Sequence, residues 1–463
     1  MTYVRLFFPL LENFLAGYFF VSIFFSAVPE NRELKWIKLF LGAGIAAGLY
    51  SLTSFLWQLS INRWFVFYHA IEASLVLICV LVGMKIQKQK EKLIDKPVSF
   101  SRKSYVVPAA FISCSFVSLL TFVTGVTSFP NGSWDAWAIW NLGARYLFLG
   151  GSNWQNVFSS TLFHPDYPLL LAINVARGWR YLGNADQAVP ILVAFFYAAI
   201  TLGLVVTALR FFRGSMAGWI AGLMLLCSSA FSVQAATLCA DIPLSFYILA
   251  TVLILTFCMK WESPRLLILS GITAGLATWT KNEGWLFLVA IFSVQFIVMP
   301  LVNREKISRK LLWFLLGAAF VLPVVMYFKV FLAPPNDLIS GQGASTLEKL
   351  VDSGRYFQIM KAYIQLGFQF TSKYSTPIGL FILLAALFGI QKNIFTNQAV
   401  QSSVLLIIFL LTGYFFVYLT TPHDLAWHIG KSLYRIYLQI WPLAVFTTSI
   451  IIKLPAFMES KPA

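Results

Sequence analysis

Runs of about twenty apolar residues recur along the whole of this 463-residue chain, and nothing else narrows its fold so far. A helix rises about 1.5 Å per residue, so about twenty residues cross the ~30 Å hydrocarbon of a bilayer with every backbone group satisfied internally. A membrane β-barrel needs alternating segments of about ten residues instead. The expectation is therefore an all-α, polytopic transmembrane protein. About thirteen spans are expected, near 6–28, 37–60, 64–84, 105–127, 187–209, 215–233, 239–259, 265–280, 284–302, 311–333, 376–391, 400–420 and 434–452. Composition agrees: 59% of residues are hydrophobic and 11% charged, against about 25% charged in a soluble domain.

The chain carries 34 Lys and Arg against 18 Asp and Glu. In a soluble protein that excess suggests nucleic acid. Here the basic residues sit in short loops, where they set topology and meet anionic lipid. The loop at 85–104, with Lys85, Lys88, Lys90, Lys92, Arg102 and Lys103, is the strongest cluster, followed by Arg304, Lys306, Arg309 and Lys310. With thirteen spans these fall on one side, the cytoplasm, together with Arg32, Lys35, Lys38, Arg210, Arg213, Lys260 and Arg265. The first run, Phe7 to Phe25, lacks a cleavage site of small residues and a strongly basic start, so it reads as a span and not as a signal peptide. Cys79, Cys114, Cys227, Cys239 and Cys258 have no metal-ligand spacing and read as core packing. The outer side receives 128–190, the turns before Asp241 and at Lys281-Asn282-Glu283, the loop 334–375 and the segment 422–435. Asp135, Asp166, Asp241, Glu283 and Asp424 all fall on that face.

Residues 128–190 are where the chemistry concentrates. Trp134, Trp137 and Trp140 are spaced by three, as on one face of an amphipathic interfacial helix. Asp135 lies among them, and a carboxylate at the edge of hydrocarbon is costly unless something uses it. Partial desolvation would raise its pKa toward that of a general base; an ion pair with Arg145 across the helix is the alternative. In His164-Pro165-Asp166-Tyr167-Pro168 the prolines stiffen the loop and start a helix, with Asp166 either a cap or a site carboxylate. Asp241, followed by Ile242-Pro243, opens a span under the same two readings. Lys281 and Glu283 form either a self-paired turn or a phosphate contact with its counter-ion. His428 and Arg435 stand two turns apart on one face, with Lys431 and Ser432 between, as a phosphate clamp or as snorkelling cations. No P-loop, Rossmann glycine pattern or zinc helix occurs, so an anionic lipid substrate fits better than a soluble nucleotide.

Trp134-Asp135-Ala136-Trp137, His164-Pro165-Asp166-Tyr167-Pro168-Leu169 and Ala240-Asp241-Ile242-Pro243-Leu244, in this order and sidedness, resemble the membrane glycosyltransferases of the GT-C superfamily. Bacterial members related to the protein O-mannosyltransferases and the lipid A aminoarabinose transferase are the nearest in likeness. The resemblance covers about residues 105–450. It divides the chain into N-terminal spans with a basic cytoplasmic loop (1–104) and a catalytic module (105–463) with outer loops 128–190 and 334–375. It implies an inverting transferase that takes a sugar from a polyprenyl-phosphate carrier at the outer face, with Asp135 as the catalytic carboxylate and Asp241 in the same site. The chain departs from the pattern twice. The aminoarabinose transferase has a lysine before the loop prolines that meets the carrier phosphate, and this chain has Asp166 in that region. Four spans precede the acidic loop where one is usual, so the first three look like an addition.

The function expected is transfer of a sugar from a polyprenyl-phosphate donor to a hydroxyl on a lipid, glycan or protein acceptor. Asp135 would be the base, and Lys281, Arg435 and His428 the donor-phosphate ligands. Trp134, Trp137, His164, Asp166, Tyr167, Asp241 and Glu283 would meet sugar or acceptor. No cofactor is certain, and a divalent metal ion stays open because hard cations suit carboxylates. The expected place is the cell (inner) membrane, with the site facing the periplasm or exterior and no nucleic-acid partner. Two rivals remain: a lipid or amphipathic-solute transporter, for which Glu72 is the one strong mid-span acid, and a polymer ligase using a lipid-diphosphate donor.

Overall fold

The computed structural model of the chain describes residues 2–62, 65–87, 105–298, 307–343, 345–369, 377–392 and 394–453. Most of the expected basic loop, residues 88–104, lies outside the described residues, as do Arg304, Lys306 and the stretch 370–376 of the long outer loop.

The described residues fold into helices α1 (Phe7–Phe24), α2 (Arg32–Ser60), α3 (Phe65–Gln87) and α4 (Val106–Ser128) ahead of the acidic loop. That loop holds α5 (Asn141–Leu149) and α6 (Leu170–Leu182). The central series is α7 (Ala188–Arg213), α8 (Ser215–Leu226), α9 (Ser229–Ala235), α10 (Asp241–Trp261), α11 (Pro264–Thr280), α12 (Glu283–Val298), α13 (Ile307–Ala318) and α14 (Leu322–Tyr327). The second outer loop holds α15 (Asp337–Ser340), α16 (Ser345–Val351) and α17 (Ser353–Phe368). The chain closes with α18 (Pro377–Phe388), α19 (Gln398–Thr420) and α20 (Leu425–Ile451).

Seven described helices are long and apolar enough to cross a membrane, or up to nine if the bent pairs α8/α9 and Ser308–Ala318/Leu322–Leu332 each count as one span. Seven to nine of the thirteen expected spans meet that test among the described residues. The four remaining segments are helical, but α11, α12 and α18 have 17, 16 and 12 residues. These described lengths are at or below the ~17–25 residues that cross the ~30 Å hydrocarbon, and α12 ends and α18 begins at the edge of the described residues. The fourth, α20, starts with polar turns carrying His428, Lys431 and Arg435.

The middle of the bundle is α10, whose apolar window is 94% buried, packed by α7, α11 and α20. By contrast α3 and α4 are 11% and 6% buried and turn nearly everything outward, as helices in lipid can. One end of the bundle gathers basic residues. Lys38 pairs with Glu30 at 2.7 Å and Arg210 with Glu33 at 2.8 Å. Arg265 reaches Ser26 at 2.5 Å, and Arg213 reaches the Ile450 carbonyl at 2.8 Å. The starts of α10 and α20, the end of α11 and the loop after α4 gather at the other end. Asp424, one of the acids expected on the outer face, caps α20 there, accepting from the Trp427 N–H at 2.8 Å.

Candidate active site

The loop that carries Asp135 is fixed before the acid is reached. Gly132 has φ +75°, and a Cβ there would stand 2.6 Å from the Thr237 carbonyl. The next N–H, that of Ser133, donates to the same carbonyl at 3.1 Å, which staples this loop to the one that leads into Asp241. Helix resumes at Trp134 and widens into a π-helical turn over Ala136–Trp140. The wider turn breaks the register expected for the three tryptophans. Trp140 goes inward, 2% exposed, and stacks on Tyr167 at 5.3 Å, whereas Trp134 and Trp137 stay exposed. The three do not share a face.

Asp241 is the centre of the site. It is the first residue of α10, wholly buried, and makes no cap bond. Its Oδ1 accepts from Lys281 Nζ at 3.0 Å and Gln439 Nε2 at 2.7 Å, and its Oδ2 from Arg435 Nε at 2.9 Å. The same guanidinium donates through Nη1 to Asp135 Oδ2. Thus the partner of Asp135 is Arg435, and the alternative pairing with Arg145 is overturned. Arg145 instead lies over the Trp179 ring. It is exposed on α5, whereas Arg435 is on α20, whose start meets that of α10. The Lys281–Glu283 pair does form, at 2.7 Å, but with the lysine buried and shared with Asp241. Burial would pull the Lys281 ammonium down; the Asp241 and Glu283 carboxylates outweigh that and hold it above its ordinary value. This turn needs Gly284, where a Cβ would stand 2.0 Å from the Ala277 carbonyl.

Asp166 is not the cap of α6, whose cap position is Leu169. It is buried, and its Oδ2 accepts from Asn282 Nδ2 at 2.7 Å and Asn336 Nδ2 at 2.8 Å. Lys329 Nζ donates to the Asp166 carbonyl and to Asn282 Oδ1, both at 2.5 Å. Since Asn282 lies between Lys281 and Glu283, this second knot adjoins the first. Tyr167 bridges them: its ring stacks between Trp140 and His164, with Lys281 Nζ 6.0 Å from its centre. His164 and Leu238, two of the four non-glycine residues with left-handed φ among the described residues, flank the site at +47° and +60°.

Sequence reasoning missed Lys329, Asn336 and Gln439. Lys329 had a readable signal, a lone cation in an apolar run. It sits in a second π-helical turn, Phe328–Leu332. Gln439 follows Arg435 by one turn, which places both on Asp241. His428 lies two turns before Arg435 with Nδ1 2.8 Å from Thr421 Oγ1, and Lys431 stays exposed. Glu72, the mid-span acid, lies apart from this site in an ion pair with Arg177 at 2.6 Å. All five cysteines are free, and Cys227 is exposed instead of packed. Among the described residues no group of three or more His, Cys, Asp or Glu is arranged to hold a metal ion.

Residues 166–328, from the buried Asp166 to the residue before Lys329, match the family model described as dolichyl-phosphate-mannose-protein mannosyltransferase. No curated protein and no solved structure matches the chain. Over that segment, about a third of its length, the chain is similar to this family; with its bundle of apolar helices it is a multi-pass membrane glycosyltransferase of the GT-C type that depends on a polyprenyl-phosphate-linked sugar.

Proposed function

We propose that the chain transfers its sugar to an acceptor hydroxyl with inversion, at the non-cytoplasmic face, with Asp135 as the general base. One observation carries this reading. Of the carboxylates joined to Arg435, Asp241 is fully buried and saturated, while Asp135 is 28% exposed. The exposed one is the carboxylate that an acceptor can reach. Asp241 then holds Arg435 and Lys281 in place.

Asp135 takes the hydroxyl proton as the acceptor oxygen bonds to the anomeric carbon. The bond from that carbon to the phosphate oxygen breaks, its electron pair stays on the oxygen, and polyprenyl phosphate leaves. A single displacement of this kind inverts the centre. Arg435, 16% exposed, meets the growing negative charge, and Lys281, 2% exposed, supports it from behind. His428 flanks the phosphate as a hydrogen-bond partner. Trp134 and Trp137, exposed on either side of Asp135, stack on sugar or acceptor. His164, Asp166, Tyr167 and Glu283 adjoin this site, and Glu283 Oε2 is buried with no protein partner. The basic residues at the opposite end of the bundle support this sidedness.

Asp135→Asn should abolish transfer while expression and carrier-lipid binding persist. Near-normal turnover in that variant removes Asp135 from the role of base.

A further inference from the structure

The three helices α1–α3 lie outside the matched segment 166–328, and by sequence they look like an addition. In the structure they are the seat of α6. That helix follows directly on Asp166 and Tyr167, and it is buried almost throughout. Its polar side chains Asn174, Arg177 and Tyr181 recur at three and four residues, one stripe of a helix. Every one of them is answered from α1–α3. Asn174 Nδ2 reaches the Ala47 carbonyl at 3.3 Å. Arg177 donates to Glu72 Oε1 at 2.6 Å, Glu12 Oε2 at 2.5 Å and Asn13 Oδ1 at 3.2 Å, and its guanidinium lies 4.5 Å from the Tyr50 ring centre. The Tyr181 hydroxyl sits 2.8 Å from both Glu12 Oε2 and Glu72 Oε2.

These contacts explain an oddity of α3. It buries Tyr68, Glu72 and Gly83 and turns its other described side chains partly or fully outward, so its one buried charge is the group that grips α6. The cavity against Arg177, Asn13 and Asn174 holds about 30 Å³, room for about one water. The cluster is therefore a clamp and not a ligand site.

We infer that α1–α3 are a positioning module of the transferase: Glu12 and Glu72, through Arg177 and Tyr181, fix α6 and so set the Asp166–Tyr167 corner. The inference rests on the reading that this corner faces sugar or acceptor. Arg177 is a positioning residue, since seven residues of helix, about 10 Å, separate it from the start of α6. Residues so far apart ordinarily act additively, and the inference requires that they do not.

The test is a double-mutant cycle on the full-length enzyme with a polyprenyl-phosphate-sugar donor. Arg177→Met is expected to lower kcat at least tenfold with the donor KM within about twofold. In an Asp166→Asn background the same change is expected to cost less than threefold, because the corner is already disabled. Equal, additive losses in both backgrounds would show that Arg177 is only structural and would overturn the inference. If Arg177→Met does not fold, the cycle is run with Tyr181→Phe, which removes one hydroxyl; the expected losses are smaller and the criterion is the same. Coupling is read from residual turnover, so Asp135→Asn separates the two ideas: an active Asp135→Asn refutes the base and leaves the Arg177–Asp166 coupling to be judged alone.

Discussion

Two buried ion networks stand in this protein, one around Asp241 and one around Arg177, and in both the carboxylates outnumber the cations. Asp135, Asp241 and Glu283 share Lys281 and Arg435; Glu12 and Glu72 share Arg177. The networks differ in what they leave open. Around Arg177 the guanidinium is 3% exposed, Glu72 is sealed, and a tyrosine hydroxyl meets both acids. Around Asp241 one carboxylate faces outward and one oxygen of Glu283 has no protein partner. A surplus of buried acid does not by itself mark a catalytic site. Access does, because an exposed carboxylate is the group a substrate can engage; an unpartnered polar atom does not separate the two networks, since the hydroxyl of Tyr50, whose ring packs on Arg177, is also buried without a partner.

Arg435→Met should have the largest effect. It takes one of two cations from the buried Asp241, which keeps Lys281 and Gln439, and removing one partner of a buried pair costs up to about 3–5 kcal/mol. Turnover and melting temperature should fall together. Arg435→Lys should not restore turnover, since an ammonium cannot span two carboxylates as the planar guanidinium does. A variant that melts like the wild type would erase the distinction drawn for Asp241. Next comes the contrast of Asp241→Asn with Asp135→Asn. Both should lose transfer, but only Asp241→Asn should lower the melting temperature substantially, because Lys281 is then left with Glu283 alone. Equal melting shifts would mean that the two acids are not divided into holder and base.

Gly284→Ala should come third. Its Cβ would meet the Ala277 carbonyl at 2.0 Å, and relief of such overpacking costs about 1–3 kcal/mol. The displaced turn carries Lys281, Asn282 and Glu283, so kcat should fall about tenfold in an assay that leaves the Arg177 network untouched.

The smallest effect concerns His428, at the polar start of α20. Burial, and then the neighbouring His423, push it down to about 4 from 6.5. The unfolded chain takes up this proton first, so the stability tied to neutral His428 is complete above about pH 6.5 and is lost as pH falls toward 4. Melting temperatures of wild type and His428→Asn, measured from pH 7 to 4.5, should converge as pH falls. Parallel curves would show that His428 is not held neutral.

Much of this was legible in the chain. Apolar run length alone forces a helical membrane protein, since only internally bonded segments survive in hydrocarbon. The rarity of charge in such runs makes Asp135, Asp166, Asp241, Lys281, Glu283 and Arg435 stand out, and the short motifs around three of them carry the family resemblance. The span count was less legible, because α11, α12 and α18 are apolar but short among the described residues, and α12 ends and α18 begins where the described residues stop. Lys329 stayed hidden in an apolar run, and the π-helical turn at Ala136–Trp140 undid a face that simple spacing implied.

By itself, then, the sequence determined the class of fold and which side chains are too costly to be idle. Only the tertiary structure decided who pairs with whom. Arg435 reaches Asp135 across 300 positions of chain and Arg177 reaches Glu72 across 105. Periodicity orders residues within one helix and carries no information on which helices will be neighbours, whereas packing around α10 sets those distances and so assigns one set of charges to a mouth and the other to a clamp.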